Sequence, residues 1–200
     1  MTTTETTTEN KTIIDKMFEV GAHFGYSRSR RHPSMKSIIF GVKNNVEIID
    51  LEKTDESLEK AKKFVSSVAK EGKQILFVGT KNEARDAIRE GALSIDMPYV
   101  TNKWTGGTIT NFSEIKKRIA LLEELTSKRE KGELGMYTKK ERLLIDRDIE
   151  DLEKNFGGLL TMKSLPAAIF VIDSSAEKIA VKEAGNKNIL IVSLSGSDCN

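Results

Sequence analysis

The chain has 200 residues, of which 38% are hydrophobic and 31% charged, so its length and composition fit one globular domain or one domain with an insertion. Its 32 basic and 30 acidic residues give a formal net charge of only +2, which by itself does not indicate a nucleic-acid partner. The single cysteine, Cys199, excludes a disulfide framework and a thiolate metal cluster within the chain, and no apolar run approaches the roughly 18 to 20 residues that span a bilayer.

The chain begins with a stretch rich in Thr and Glu that lacks the basic start and the apolar core of a signal peptide. We therefore expect a disordered tail over residues 1–11 and a cytoplasmic protein. From Thr12 onward, apolar residues at helical spacing predict a helix that ends at Gly21 and Gly25. The apolar runs 37–40 and 46–51 flank Gly and Asn residues and predict a β-hairpin with its turn over 41–45.

Strands and helices alternate through much of the remaining chain. Residues 56–70 predict an amphipathic helix that buries Leu58, Ala61, Phe64 or Val65, and Val68. Short apolar runs predict strands over 74–78, 98–100, 167–172 and 188–192, with helices over 82–95 and 177–184. This alternation predicts an α/β fold with a parallel sheet and helices on both faces.

The segment 112–160 interrupts this alternation. Apolar residues follow a heptad spacing in two arms: Phe112, Ile115, Ile119 and Leu122 in the first, and Ile145, Ile149, Leu152, Phe156 and Leu159 in the second. Residues 113–155 include 11 basic and 11 acidic side chains. The pattern predicts an antiparallel coiled-coil hairpin that projects from the sheet domain. We expect Asn111 and Glu114 to form a capping box at the start of its first arm.

Catalytic machinery is not evident in the sequence. The turn at Gly79 follows a strand and precedes a helix, but it lacks both phosphate-binding glycine motifs, so an ordinary turn is the favoured interpretation over a nucleotide site. His23 is interpreted as a partly buried, hydrogen-bonded side chain rather than a ligand or a base. Asp50 and Asp173 each end a strand, and we expect them to cap the following helix or turn. We predict no catalytic or metal-binding residue.

Charge distribution is more informative than net charge. The stretch from Val20 to Val46 contains five basic residues and no Asp or Glu. Such a segment can neutralise RNA phosphates, although a solvated loop is an equal alternative on charge alone. His32 lies among the arginines, where RNA contact and plain exposure are equally plausible. The candidate RNA-binding residues of this stretch are Arg28, Arg30, Arg31, His32, Lys36 and Lys43.

A second candidate RNA-binding region surrounds the only tryptophan, Trp104. Its ring could stack on a base beside Gly106 and Gly107, but a packing role between hairpin and sheet is slightly favoured. The basic cluster at the base of the hairpin would extend this surface, although such runs are usually the solvated face of a helix. The candidates of this region are Lys81, Lys103, Trp104, Lys116, Lys117 and Arg118.

The chain resembles the bacterial-type ribosomal protein two family of the small subunit in a series of motifs. The first are Gly21–Gly25, Pro33-x-Met-Lys36, Ile39–Gly41, Ile48–Leu51, Leu76–Lys81, Pro98–Trp104 and Gly106–Phe112. The others are Lys139–Glu141, Leu152–Asn155, Gly157-Gly158, Met162-Lys163, Leu165-Pro166 and Ile179–Ala184. Their order and spacing follow the family over most of the chain from Ile13 to Val192.

The resemblance implies a Rossmann/flavodoxin-like α/β domain over 12–111 and 161–200, with the helical hairpin 112–160 inserted. It also implies a structural protein of the small ribosomal subunit, in a bacterium or an organelle, without catalytic activity, cofactor, small-molecule substrate or membrane contact. The family binds 16S-type rRNA between head and body. Its partners include other small-subunit proteins, and it helps to recruit protein one, which binds mRNA.

The sequence departs from the family in two places. Tyr26 stands where the family commonly has His, and the loop 28–34 is unusually rich in Arg and Ser, so RNA contacts there are expected to differ. The family continues with a further strand after the fourth parallel strand, whereas this sequence ends at Asn200. Either the sequence is a fragment, or the protein lacks this edge strand. Because a missing edge would leave backbone groups along Ile189 to Val192 unpaired, we expect truncation.

Two rival functions remain from the sequence alone. One is a nucleotide- or flavin-dependent enzyme that uses the Gly79 turn. The other is a coiled-coil interaction module outside the ribosome that acts through the segment 112–160. Neither accounts for the basic loop together with the Trp-Gly-Gly segment.

Overall fold

A computed structural model describes residues 12–199, which divide into two compact units. The first unit comprises residues 12–65 and 196–199, and the second comprises residues 66–195. The predicted disordered tail over 1–11 lies outside the described residues. In the described part of the chain, no helix combines the length and apolar character of a membrane span.

The first unit contains the helix α1 (Ile13–Glu19), a 3₁₀ helix (Pro33–Ile38) and the hairpin of β1 (Ile39–Lys43) and β2 (Val46–Ile49). The hairpin is confirmed, but its turn has two residues rather than five, because Gly41 to Lys43 belong to β1. Asn44 and Asn45 form this turn with positive φ angles of 51° and 62°, the geometry that suits the right-handed twist of a two-residue hairpin.

Helix α2 (Leu51–Lys70) begins five residues earlier than the sequence predicted. Its start is fixed by Asp50, whose Oδ1 accepts hydrogen bonds from the amides of Glu52 (3.1 Å) and Lys53 (3.4 Å). The predicted capping role of Asp50 is therefore confirmed. The predicted apolar stripe is buried or half-buried along the helix, and Val68 is its most deeply buried member.

The second unit is built on a parallel sheet of β3 (Ile75–Val78), β4 (Tyr99–Val100), β5 (Ala168–Ile172) and β6 (Leu190–Leu194). The order β4-β3-β5-β6 places successive strands on opposite sides of β3, so the winding reverses between β3 and β5. Helices α3 (Asn82–Ser94) and α6 (Lys178–Asn186) flank the sheet. The α/β prediction is confirmed, and a four-stranded parallel sheet fits a flavodoxin-like fold.

The predicted insertion folds as two helices, α4 (Phe112–Glu130) and α5 (Lys139–Phe156), which contact each other. All nine apolar residues of the predicted seams are buried or half-buried. Ile115, Ile119 and Phe156 share one core cluster with the sheet residues Leu76 and Val78. The base of the helix pair is thus continuous with the core of the second unit. A coiled coil, and a boundary of the insertion at 112–160, stay predictions.

The predicted capping box at the start of α4 is wrong. Asn111 precedes the helix but makes no side-chain capping bond, and Glu114 pairs with Lys117 at 2.7 Å instead. The reason is that the Asn111 amide already donates to the Gly107 carbonyl oxygen at 2.8 Å. A reciprocal box exists at the start of α5, where Thr138 and Glu141 exchange hydrogen bonds of 2.8 and 3.3 Å.

Strand β6 lies at one edge of the sheet. Among the described residues it pairs with β5 alone, and it exposes the apolar side chains of Leu190 and Leu194. An exposed apolar edge is a surface on which a further strand can pair.

Candidate nucleic-acid interface

The predicted basic residues fall into two groups, one in each unit. The group of the first unit comprises Arg28, Arg30, Arg31, His32, Lys36 and Lys43, and the group of the second comprises Lys81, Lys103, Trp104, Lys116, Lys117 and Arg118.

In the first unit, three basic side chains are directed to solvent. Arg28, Lys36 and Lys43 are exposed, and no acidic residue in the described chain pairs with them. The Arg30 guanidinium lies 4.4 Å from the centre of the Tyr26 ring, a cation–π contact that restrains it while it stays exposed. These four cations are therefore available to an anionic ligand.

Arg31 forms an ion pair within the first unit. Its guanidinium contacts the Glu47 carboxylate at 3.0 Å, and Glu47 is only 1% exposed. A buried carboxylate needs such a partner, because an unpaired charge in the interior is strongly destabilising. Arg31 thus links the basic loop to β2, and its contact with RNA stays a prediction.

His32 also has an internal role. Its Nδ1 accepts a hydrogen bond from the Ser34 amide at 3.3 Å and so caps the 3₁₀ helix, while its own amide donates to the Ser197 carbonyl oxygen at 2.9 Å. The half-buried ring thus fixes the end of the basic loop, and RNA contact by His32 stays a prediction.

The second unit exposes a smaller basic group. Lys103 and Arg118 are exposed and unpaired among the described residues. Lys117 pairs with Glu114 at 2.7 Å, and the Lys116 ammonium lies 5.1 Å from the centre of the Phe112 ring. Surface pairs of this kind exchange partners at little cost, so Lys117 can still reach a phosphate.

The segment around Trp104 is organised by a buried carboxylate that sequence patterns did not single out. Glu183 of α6 is 7% exposed and accepts hydrogen bonds through both of its oxygens. Oε1 accepts from the Trp104 indole N–H (3.1 Å) and the Gly107 amide (2.7 Å). Oε2 accepts from the Ile109 amide (3.0 Å) and from the amide and hydroxyl of Thr110 (both 3.1 Å). One side chain thus fixes the whole segment.

The protonation state of Glu183 follows from these contacts. Burial by itself raises the pKa of a carboxyl, but the hydrogen bonds from Gly107, Thr110, Trp104 and Ile109 outweigh it, so the pKa of Glu183 lies below its ordinary value. The ionised form is the acceptor that all five donors require.

Trp104 is not a stacking surface in this structure. Its indole is 6% exposed, belongs to the core cluster and donates to Glu183. Neither face of the ring is open to a base as it lies here, and RNA contact by Trp104 stays a prediction. The favoured alternative, packing within the protein, matches the observed burial.

The turn at Gly79 is occupied by the protein itself. The Glu177 carboxylate, 3% exposed, accepts the Thr80 amide at 2.8 Å and the Thr80 hydroxyl at 2.5 Å. A bound phosphate would need these donors and would be repelled by the carboxylate. A Cβ added to Gly79 would lie 3.0 Å from Ile88 Cγ1, so packing accounts for the glycine. The geometry favours an ordinary strand-to-helix turn over a nucleotide site.

Asp173 closes the same end of the sheet. Its Oδ1 accepts the amides of Ser175 (3.0 Å) and Ala176 (3.1 Å), which confirms the predicted capping role, and its Oδ2 pairs with Lys81. Burial raises the pKa of Asp173, but the Lys81 ammonium and the capping amides outweigh it and hold the pKa below its ordinary value. The Lys81 ammonium is thus engaged within the protein, and its contact with RNA stays a prediction.

His23 is half-buried, as predicted, and is stacked rather than liganded. Its ring lies 4.3 Å from the Phe18 ring and 4.0 Å from the Phe24 ring, centre to centre. Its Nδ1 is buried without a hydrogen-bond partner in the described chain. The described residues contain no cluster of three or more His, Cys, Asp or Glu side chains able to hold a metal.

A cleft of about 560 Å³ in the second unit lies beside β4, between α3 and α5. Three basic residues (Arg85, Arg89 and Lys154) and three acidic residues (Asp86, Glu150 and Glu153) line it. This balance gives no preference for an anionic or a cationic ligand. The cleft also lies away from the β3–β5 junction, where open α/β sheets bind their ligands.

Comparison with known proteins places the chain in one family. The family model described as "Ribosomal protein S2" matches residues 17–200. "Small ribosomal subunit protein uS2" of a Nitratiruptor species is 46% identical over 184 residues, which cover 92% of this chain and 69% of that protein. The protein of the same name from Karelsulcia muelleri is 40% identical over 187 residues, covering 94% of this chain and 84% of that one.

These matches span both units and include the motifs on which the resemblance was based. Members of the family are structural ribosome components and not enzymes, which confirms the prediction that the chain is not an enzyme. The chain belongs to the ribosomal protein S2 family.

Proposed function

We propose that this chain binds 16S-type rRNA as a structural constituent of the small ribosomal subunit, chiefly through the basic loop of its first unit. A structural role in the small subunit, and hence in translation, follows from its family. The single observation that carries the RNA contact is the exposed, acid-free stretch from Val20 to Val46.

Four cations of this stretch can reach phosphates, because Arg28, Arg30, Lys36 and Lys43 are exposed and have no acidic partner in the described chain. Arg31 and His32 hold the loop from inside, so its cations are presented on a fixed backbone. Contacts of this kind position a protein on RNA without reading its sequence. The loop therefore acts as an electrostatic docking element.

The second unit contributes in a similar way. Lys103 precedes the segment that Glu183 fixes, and Arg118 lies in the first half of α4. We propose that these cations, with Lys116 and Lys117, contact a further stretch of rRNA. The helix pair α4–α5 would extend as an antiparallel coiled coil toward a second RNA segment or protein.

The test is the salt dependence of binding to a 16S-type rRNA transcript. Each phosphate contact contributes about 0.7 to 0.9 to the slope of log affinity against log salt, so a variant in which Arg28, Arg30 and Lys36 are all Ala should lose about two to three units of slope. The matched control replaces Lys60, Lys63 and Lys70 of α2 by Ala, which removes the same charge from an exposed helix. We expect the control to keep the wild-type slope.

Sedimentation of the tagged full chain in a bacterial lysate extends the test to the ribosome. The wild-type chain should travel with small subunits and leave them only at high salt, whereas the triple loop variant should leave at lower salt. Equal slopes for loop and control variants would refute the assignment to the loop. A wild-type chain that binds no rRNA at low salt would refute the function.

Recruitment of protein one is a further part of the proposal, and it rests on family resemblance. Small subunits depleted of this chain should lack protein one, and adding the full chain back should restore it. Retention of protein one by depleted subunits would contradict this part while leaving rRNA binding intact.

A further inference from the structure

The first unit contains a third extended segment beside its hairpin. Residues 23–26 run antiparallel to β2: the Ile49 amide donates to the His23 carbonyl oxygen (2.8 Å), and the Gly25 amide donates to the Glu47 carbonyl oxygen (2.8 Å). Phe24 therefore lies directly opposite Ile48, and Ile48 in turn lies opposite Gly41 of β1. The three residues form one row across a small sheet, with their Cβ positions on the same face.

The two faces of this sheet differ sharply. On the face of Glu47, a Cβ added to Gly25 would lie 3.1 Å from Ser197 Oγ, and Glu47 itself is 1% exposed. At Gly25 and Glu47, that face is covered by the protein. On the face of Phe24, a Cβ added to Gly41 would meet nothing within 4 Å, and Phe24 is 63% exposed. This second surface, formed by Phe24, Ile48 and Gly41, is named the open face.

The Phe24 ring is held in place although it is exposed. Its centre lies 4.0 Å from the centre of the His23 ring, and its edge lies beside Gly21, where a side chain would have met Phe24 Cδ2 at 3.4 Å. The Phe24 amide also donates to the Gly21 carbonyl oxygen at 3.1 Å. An exposed aromatic ring that is already immobilised loses little entropy when a flat ligand stacks on it.

Charge around the open face indicates the chemistry of its ligand. Strand alternation places Lys43 on the same face as Gly41, two residues along β1. No acidic residue occurs between Val20 and Val46, so the cations that flank the aromatic ring face no competing carboxylate from that stretch. An apolar surface bordered by cations suits an unpaired nucleotide, which presents a flat base and a phosphate together.

We propose that the open face binds an unpaired RNA base, which stacks on Phe24, rests on Ile48 and fills the space above Gly41, while Lys43 neutralises an adjacent phosphate. This assignment rests on the proposed rRNA-binding function and names the side chains that would contact a base. It gives Phe24 the role that the sequence suggested for Trp104, whose ring is buried.

The test separates stacking from charge by removing the base instead of the phosphate. The probes are a labelled single-stranded adenosine 12-mer and the same 12-mer with abasic central positions, and fluorescence anisotropy gives the affinity of the full chain for each. Phe24→Ala should weaken binding of the intact RNA by roughly 5- to 150-fold and leave binding of the abasic RNA unchanged. Phe24→Leu should also weaken binding of the intact RNA alone, because it keeps an apolar side chain but removes the aromatic ring.

Two more variants examine the geometry. Gly41→Val fills the open space without a change of charge and should weaken binding of the intact RNA alone. Val42→Ala is the control, because Val42 is also exposed but lies opposite Glu47 on the other face. Phe24→Trp keeps the stacking surface, so it should retain affinity, and intact RNA should quench its added fluorescence.

The outcomes distinguish the inference from the function on which it rests. If wild-type protein binds intact and abasic RNA equally, the stacking site is wrong and electrostatic rRNA binding still stands. If it binds neither RNA at low salt, both are overturned. The inference would also be overturned if the wild-type chain captured a protein after nuclease treatment and Phe24→Ala did not. The open face would then bind a protein partner instead of RNA.

Discussion

Replacing Glu183 by Gln should destabilise the protein far more than a surface change of the same kind. The wild-type carboxylate accepts five hydrogen bonds, two through Oε1 and three through Oε2. A glutamine keeps one acceptor oxygen, and its NH₂ group then faces the donors that the other carboxylate oxygen accepts in the wild type. With the oxygen on the Oε2 side, the Trp104 indole and the Gly107 amide are left buried without acceptors. Each unsatisfied donor costs about 1–3 kcal/mol, so the expected loss is about 2–6 kcal/mol.

Urea unfolding followed by tryptophan emission measures this loss, because Trp104 is the only tryptophan and contacts Glu183 directly. With a slope of about 2 kcal/mol per molar urea, the midpoint should fall by about 1–3 M, and the native emission should shift to the red. The control is Glu90→Gln, at an exposed position of α3, which should change the free energy of unfolding by less than about 0.5 kcal/mol. A Glu183→Gln protein with a wild-type midpoint and emission would refute the role of the carboxylate.

Three further predictions concern charged side chains that have partners within the fold. Arg31→Ala should lower the free energy of unfolding by about 3 kcal/mol, because it leaves the buried Glu47 carboxylate without its ion-pair partner. In urea unfolding, the double variant with Glu47→Gln should recover part of this loss. Lys81→Met should raise the pKa of Asp173, because burial still raises it and the ammonium that lowers it is gone. Carbon-13 NMR titration of the Asp173 carboxyl measures this pKa, and an unchanged value would contradict the prediction. The stability advantage of wild type over Glu183→Gln should shrink as pH falls below about 4, because the folded pKa of Glu183 is depressed.

Regular elements could be predicted because burial imposes a local period on the sequence. The seam residues of α4 and α5 recur every three or four positions because one side of each helix packs. The central strands β3 and β5 are short apolar runs because both of their faces are covered. Errors concentrated at element ends. The sequence predicts Gly41 to Lys43 in the turn, whereas they belong to β1. The two-residue turn at Asn44 and Asn45 depends on backbone angles, which composition alone does not reveal.

The candidate site was less predictable because residue type does not reveal a partner that is distant in sequence. Arg28 and Arg31 are equivalent in the sequence, yet the first is exposed and the second is committed to Glu47. One local signal was available: Glu47 is a lone acid between apolar strand residues directly after an acid-free stretch, a pattern that indicates a buried cationic partner. Phe24 likewise has an apolar neighbourhood in sequence, and its exposure emerges only from the sheet pairing.

The failed capping box shows how one long-range contact redirects a local motif. Asn111 and Glu114 have the spacing of a box, and in an isolated peptide the Asn111 amide would be free to bond Glu114. In the fold, Glu183 accepts the amides of Gly107 and Thr110, which bends the segment so that the Gly107 carbonyl oxygen accepts the Asn111 amide at 2.8 Å. A carboxylate 76 residues from Gly107 in sequence thus decides how α4 begins. Loss of that carboxylate should therefore free the Asn111 amide, and slowed exchange of this amide in Glu183→Gln would contradict the argument.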